Sequence, residues 1–134
     1  MTDDAPLRGR VIAFRADRLG ARLVSLVNAM RLAETLGVEF AMHWQRAGSV
    51  GAEFNAPEEL FDAEFIARRF IDADCWAREG ARAAQIGPGR PPPRAELAAA
   101  LAAGESRVVN MAFGVIALPG EEPETVRERC GALF

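Results

Sequence analysis

Apolar and polar positions along the first third of the chain fall into three blocks. A short apolar run at Val11–Phe14 breaks into the polar turn Arg15-Ala16-Asp17-Arg18, and a periodic stretch from about Gly20 to Leu36 then ends at Gly37. A second apolar run, Val38–Trp44, follows at once. The pattern predicts a buried strand over Arg10–Arg15, a helix over 20–36 and a second strand over 38–44. Leu19, Leu23, Leu26, Val27, Met30 and Ala33 recur at three- and four-residue steps and are expected to face the core. Arg22, Ser25, Arg31, Glu34 and Thr35 are expected largely off that stripe. Gly37 fits the left-handed position that closes a helix. Two strands joined by one helix through short links predict a right-handed parallel crossover.

The remainder is less regular. Residues 1–9 read as a disordered leader, and 10–134 as a single α/β domain with a parallel sheet flanked by helices. Gln45–Ala56 is polar and glycine-bearing, hence a loop. Pro57-Glu58-Glu59 reads as a helical first turn, and Asp62 as the cap of a helix over Ala63–Phe70. Ile71–Ala84 has no decisive pattern. Gly87–Pro93 is a rigid surface connection, Arg94–Ala103 a helix closed by Gly104, and Arg107–Phe113 a third strand, with Gly114–Leu118 a further candidate. A last helix opens at Glu122 or Pro123. Its stripe of Val126, Cys130 and Leu133 or Phe134 suggests a fragment, or one half of a two-domain protein.

Composition narrows the function classes. In 134 residues the net charge is −3, which gives no general attraction to nucleic acid or anionic membranes. All 16 basic residues are arginine, which with the abundant alanine reads as the codon bias of a GC-rich, bacterial genome. No run reaches the ~20 apolar residues of a membrane span, and the acidic start M-T-D-D has no signal core. Cys75 and Cys130 lie far apart, so a reduced, cytoplasmic protein is expected. With one histidine and no metal-ligand spacing, no metal or cofactor is expected.

Candidate chemistry concentrates in the turn after the first strand. In open parallel sheets ligands collect outside the carboxyl ends of the strands. Arg15, Asp17 and Arg18 belong to that rim, Gly20 permits close backbone approach, and Arg18 and Arg22 lie near the positive end of a helix. An anion, phosphate above all, would offset that placement. The alternative is that Asp17 caps the helix and pairs with the arginines. His43 and Trp44 end the second strand and are expected on the same rim, as a general base or sugar hydrogen-bonding group and a stacking platform, or as a pair packed beneath the next loop. Asn110 is a weaker candidate at the end of the third strand. Glu58, Glu59, Asp62 and Glu64 are explained by helix starts, and Cys75 as structural. Neither G-x-G-x-x-G nor G-K-[ST] is present.

The segment R-L-G-A-R-L-V-S-L-V-N-A-M-R-L-A-E-T-L-G (18–37), followed by V-E-F-A-M-H-W and E-L-F-D-x-x-F, resembles the N-terminal half of fucosyltransferase-like glycosyltransferases, the nodulation and protein O-fucosyltransferase group. The resemblance covers roughly 10–66 and, more loosely, 106–134. It is most specific in the N-A-x-x-L-A-x-x-L-G helix. In the family's G-x-G-N-R-L turn, Gly20 and Arg22 match, whereas Arg18 replaces the first glycine and Ala21 the asparagine. The H-x-R-x-G-D segment is absent.

The resemblance implies a Rossmann-like domain of a GT-B-type enzyme. This half would shape the acceptor side, and a missing C-terminal domain would bind most of the nucleotide-sugar. Partners would then be a nucleotide-sugar and a glycan or glycolipid acceptor. The other class that fits the residues is a non-catalytic α/β domain binding a phosphorylated ligand or a protein partner.

Overall fold

The computed structural model describes residues 9–15, 19–44, 57–87 and 89–133. The expected leader (residues 1–8 of it), Asp17, Arg18 and the 45–56 loop lie outside the described residues. Five parallel strands form one Rossmann-like sheet: β1 (Val11–Phe14), β2 (Phe40–His43), β3 (Phe70–Ile71), β4 (Gln85–Ile86) and β5 (Arg107–Val109), in the order β3-β2-β1-β5-β4. The expected parallel crossover is present, with Val11 opposite Phe40 and Phe14 opposite His43. β5 lies on the other side of β1.

Helical segments cover the sheet unevenly. α1 (Leu19–Leu36), α2 (Ala63–Arg69) and α4 (Arg94–Ala102) serve one face, and α5 (Pro123–Leu133) packs on α1. That face holds the main core of Val11, Ala13, Met42, Ile86 and Val109 with Leu26, Leu32, Leu97 and Leu101. The other face, Ile12, Ala41 and Val108, is covered by Trp76 and Ala83. Trp76 opens the π-helical turn Trp76–Gly80, which continues the short α3 (Ala73–Cys75). A Cβ at Gly80 would stand 2.3 Å from the Trp76 ring, so only glycine lets the indole fold back over its own turn.

Several local expectations hold. Asp62 Oδ1 accepts from the Phe65 amide as the cap of α2, and Gly37 and Gly104 take φ of +71° and +89° where α1 and α4 end. The third strand is shorter than expected, stopping at Val109, and 114–118 forms no strand. Within the unpatterned 71–84, the structure shows the end of β3, α3 and the π turn.

The orientation of α1 differs from the expected one. Its fully buried positions include Arg22, Ser25, Asn28 and Arg31, one polar side chain per turn, while Leu23, Val27 and Met30 are only half-buried. The physical reason lies in the segment after β5. Residues 110–121 have no strand partner, so their backbone groups must find side chains. Ser25 Oγ accepts from the Met111 amide at 2.8 Å and donates to the Met111 carbonyl at 2.8 Å. Asn28 Oδ1 accepts from the Ile116 amide at 2.8 Å, and Nδ2 donates to the Gly114 carbonyl at 3.1 Å. Arg31 donates to the Ile116 carbonyl and, at 2.7 Å, to Glu121, whose other oxygen accepts from the Leu118 amide.

Replacing Asn28 by alanine strands the buried Ile116 amide, at a cost of about 1–3 kcal/mol, and releases the carbonyl of the exposed Gly114. We expect Asn28→Ala to lower unfolding stability in urea by about 2 kcal/mol, against less than about 0.5 kcal/mol for Glu128→Ala on the exposed side of α5. A loss at Asn28 no larger than the control's would show that the side chain does not organise 114–116.

Candidate active site at the carboxyl edge of the sheet

Parallel strands deliver their carboxyl ends to one edge, where Arg15 follows β1 and Asn110 follows β5. The Arg15 guanidinium donates to Asn110 Oδ1 at 3.0 Å, tying the two strand ends together. α1 begins four residues after Arg15. Gly20 is exposed in the first turn of α1, and a Cβ there would meet open space, so packing does not demand glycine. The edge therefore gathers Arg15, Asn110 and the start of a long helix, groups that favour negative charge.

The other three nominated residues are not presented to solvent together. Successive residues of a strand point to opposite faces, and His43 and Trp44 are split accordingly. Trp44 is buried in the main core, its ring 5.8 Å from Phe61 and 5.9 Å from Phe70. Arg22 is fully buried, with its guanidinium carbon 4.9 Å from the centre of the Trp44 ring. Trp44 is thus a partner for a buried cation, which stabilises a charge otherwise misplaced in the first turn of α1. Of the two arrangements expected for Trp44, a stacking platform or a ring packed beneath the next loop, the structure shows a packed ring, and Arg22, expected on the rim, is turned inward with it by the rotation of α1.

His43 faces the other side of the sheet. Its ring lies beside both Phe14, 5.7 Å away, and Trp76, 5.2 Å away, with interplanar angles of 11° and 7°, and those two rings are 4.5 Å from each other. Nδ1 is 3.3 Å from the Ile71 carbonyl. Burial pushes its pKa below the usual 6.5, outweighing the opposing pull of the carbonyl and of Asp72, and the Arg22 charge acts in the same direction as burial. The stack keeps His43 neutral and holds β2 to β3 and to the Trp76 turn.

A second polar cluster occupies the opposite end of the sheet and has no counterpart among the sequence candidates. Arg10 grips Glu79 with two hydrogen bonds of 2.7 Å, and Ser106 donates to Glu79 at 2.9 Å while accepting from the Arg10 amide at 3.1 Å. The Arg10 hydrogen bond holds the Glu79 carboxyl below its ordinary range. Cys75 Sγ sits 3.5 Å from both Arg10 and Glu79, and burial, with Glu79, pushes its pKa up, so it remains a thiol. The arginine at the strand start and the glutamate one turn after Cys75 are far apart in sequence, and no motif links them. Among the described residues no group of His, Cys, Asp and Glu is arranged to hold a metal ion. No helix among them is long and apolar enough to cross a membrane.

No family model, curated protein or solved structure matches this chain. The geometry of the carboxyl edge is therefore the ground for any functional reading.

The buried imidazole makes stability depend on pH. Its folded pKa lies below the unfolded value of about 6.5, so between the two the unfolded chain binds more protons. Stability is fully present above about pH 6.5 and is lost as pH falls through the folded pKa. With one histidine in the chain, His43→Phe should flatten the urea-midpoint difference between pH 7.5 and pH 5.5. An unchanged difference in that variant would assign the effect elsewhere.

Proposed function

We propose that this chain is the N-terminal, acceptor-side domain of a fucosyltransferase-like glycosyltransferase, working at the carboxyl edge of β1 and β5. The observation that carries the reading is the delivery of Arg15 by a central parallel strand to the start of α1, where Asn110 holds it at 3.0 Å. The resemblance in 18–37 supports it at the level of architecture. Asn28, which belongs to the most specific part of that motif, pins the segment after β5 and so helps form this edge.

In the complete reaction an acceptor hydroxyl oxygen bonds to the anomeric carbon of the donor sugar. The bond from that carbon to the nucleoside diphosphate breaks, and the hydroxyl proton passes to a base. Charge grows on the departing diphosphate, and a fixed guanidinium beside helix-end amides stabilises such charge. The buried, neutral His43, with Nδ1 against a carbonyl, is not placed to be the base. Arg15 is assigned the anion and Asn110 its orientation. A nucleotide-sugar and a glycan or glycolipid acceptor are the partners of this reading.

One observation favours a second reading, a non-catalytic α/β domain that binds a phosphorylated ligand or a protein partner. His43 and Trp44, the pair nominated for chemistry and sugar contact, are both packed inside.

Titration of the purified chain with guanosine diphosphate separates these readings from a purely structural edge. Binding is expected, with Arg15→Ala weakening it at least tenfold, equivalent to about 1.4 kcal/mol, at an unchanged urea midpoint. Turnover of a guanosine-diphosphate sugar when the chain is supplied with a nucleotide-sugar-binding partner domain marks the transferase; binding without turnover marks the second reading. No binding of the diphosphate or of simple glycans by a well-folded chain overturns the assignment of this edge.

A further inference from the structure

A cleft of about 610 Å³ opens at the amino edge of the sheet, beyond the end of β1 opposite to Arg15. The Trp76–Gly80 turn and the residues that follow it form one wall, and 104–107 the other. Both walls have a fixed backbone. The amides of Ala81 and Ala83 donate to the Trp76 and Gly80 carbonyls at 2.8 and 3.0 Å, and the Val108 amide donates to the Ala84 carbonyl at 3.0 Å. The amides of Gly104 and Glu105 close α4 by donating to the Leu101 and Ala100 carbonyls at 3.0 Å, and the Arg107 amide donates to the Arg10 carbonyl at 3.1 Å. Three arginines line the space between: Arg78 and Arg82 from the first wall, Arg107 from the second.

The charges in this cleft do not balance. Its two carboxylates are already engaged: Glu79 takes two 2.7 Å bonds from Arg10 and one of 2.9 Å from Ser106, and Glu105 accepts from Arg107 at 3.3 Å. Arg78 and Arg82 make no hydrogen bond or ion pair among the described residues. Arginines at the end of a helical turn ordinarily bond its last carbonyls, but here the Trp76 and Gly80 carbonyls already pair with backbone amides. Two guanidinium charges therefore stand in the cleft without a protein counter-charge, on a chain whose net charge is −3. We propose that this cleft binds a small oxyanion bearing two or more negative charges, the chemistry shared by diphosphates and polycarboxylates. Guanidinium groups present paired N–H donors that match such oxygens two at a time. A singly charged ligand would leave one of the two arginines uncompensated, and about 610 Å³ falls within the roughly 300–1,000 Å³ of small-molecule sites. Arg107, held by the Ser106 carbonyl at 3.1 Å, adds a third donor already in place. Arg10 and Arg15 flank β1 five residues apart, about 16 Å of extended chain, so this site is separate from the carboxyl edge and does not rest on the sugar-transfer reading.

The test is calorimetric titration of the full chain with sodium pyrophosphate and, separately, citrate, with amide NMR to place each anion. Pyrophosphate is expected to bind and to shift amides in 78–84 and 104–107. Arg78→Ala and Arg82→Ala should each weaken it about threefold or more, and the double variant about tenfold or more, at an unchanged urea midpoint. Arg127→Ala, which removes the same charge from α5, should change it less than about twofold. Arg15→Ala should leave the shifts in 104–107 in place. Citrate bound as tightly supports the site and extends it to polycarboxylates; citrate about tenfold weaker supports it and assigns the site to phosphoryl ligands. No binding of either anion at millimolar concentration by a well-folded chain overturns the proposal, as does an unchanged pyrophosphate affinity in the double variant. Shifts confined to amides around Arg15 and Asn110 overturn it too, and leave the carboxyl-edge reading standing. Heparin binding through the same arginines, without pyrophosphate binding, assigns them to a macromolecular surface and overturns the small-anion site.

Discussion

The buried polar side of α1 is the constraint on which the rest of this structure depends. Arg22, Ser25, Asn28 and Arg31 stand three residues apart and advance along one side of the helix. Ser25, Asn28 and Arg31 meet successive backbone groups between Met111 and Ile116. Buried amides and carbonyls that no strand satisfies are expensive unless side chains pair them. Here one helix pairs them in series. The same helix sends Leu26, Ala29, Leu32 and Ala33 into the main core. α1 is therefore apolar toward the sheet and polar toward the loop, and it fixes both at once. Removing a single rung would leave the others in place but release the backbone around it.

That device explains where the sequence was legible and where it was not. β1, β2 and β5 announce themselves as apolar runs, and the ends of α1, α2 and α4 by Gly37, Asp62 and Gly104. β3 and β4 have two residues each, too few for any period to register. The direction of α1 was read from its leucines, yet Leu23, Val27 and Met30 turn toward a groove of about 360 Å³ shared with Leu60, Phe61, Phe65 and Leu133. A row of Arg, Ser, Asn and Arg at three-residue spacing resembles a solvated face. Only the unpaired backbone of a distant segment turns it into an interior one, and a helix read by itself carries no trace of that segment. Arg15 and Asn110 were legible as strand ends because strand ends define the edge in any parallel sheet. His43 and Trp44 were legible as neighbours but not as a split pair, since one residue of pleat decides which face each enters.

The two ends of the sheet are built for different purposes. At the amino edge Arg10, Glu79 and Ser106 satisfy one another, and the close approach there leaves no room for a side chain at Gly9, whose Cβ would stand 2.4 Å from the Glu105 carbonyl oxygen. Such a closed network fixes register and joins β1 to β5 and to the Trp76 turn. At the carboxyl edge the hydrogen bond between Arg15 and Asn110 joins the same two strands, and the groups there, a guanidinium, an amide and a helix start, are the ones on which the proposed anion site rests.

The crossovers sharpen the contrast. β1 and β4 are followed by helices on the main-core face, while the chain leaving β3 covers the opposite one with the Trp76 turn. On that thinly covered face the rings of Phe14, His43 and Trp76 pack together against the sheet. Aromatic filling there keeps water off that face of the sheet. Under the proposed reading, ligand contact falls to the strand ends that Ser25 and Asn28 brace through the following loop. An edge braced in this way has little freedom to reorganise, because the helix that braces it is also the helix that packs the core.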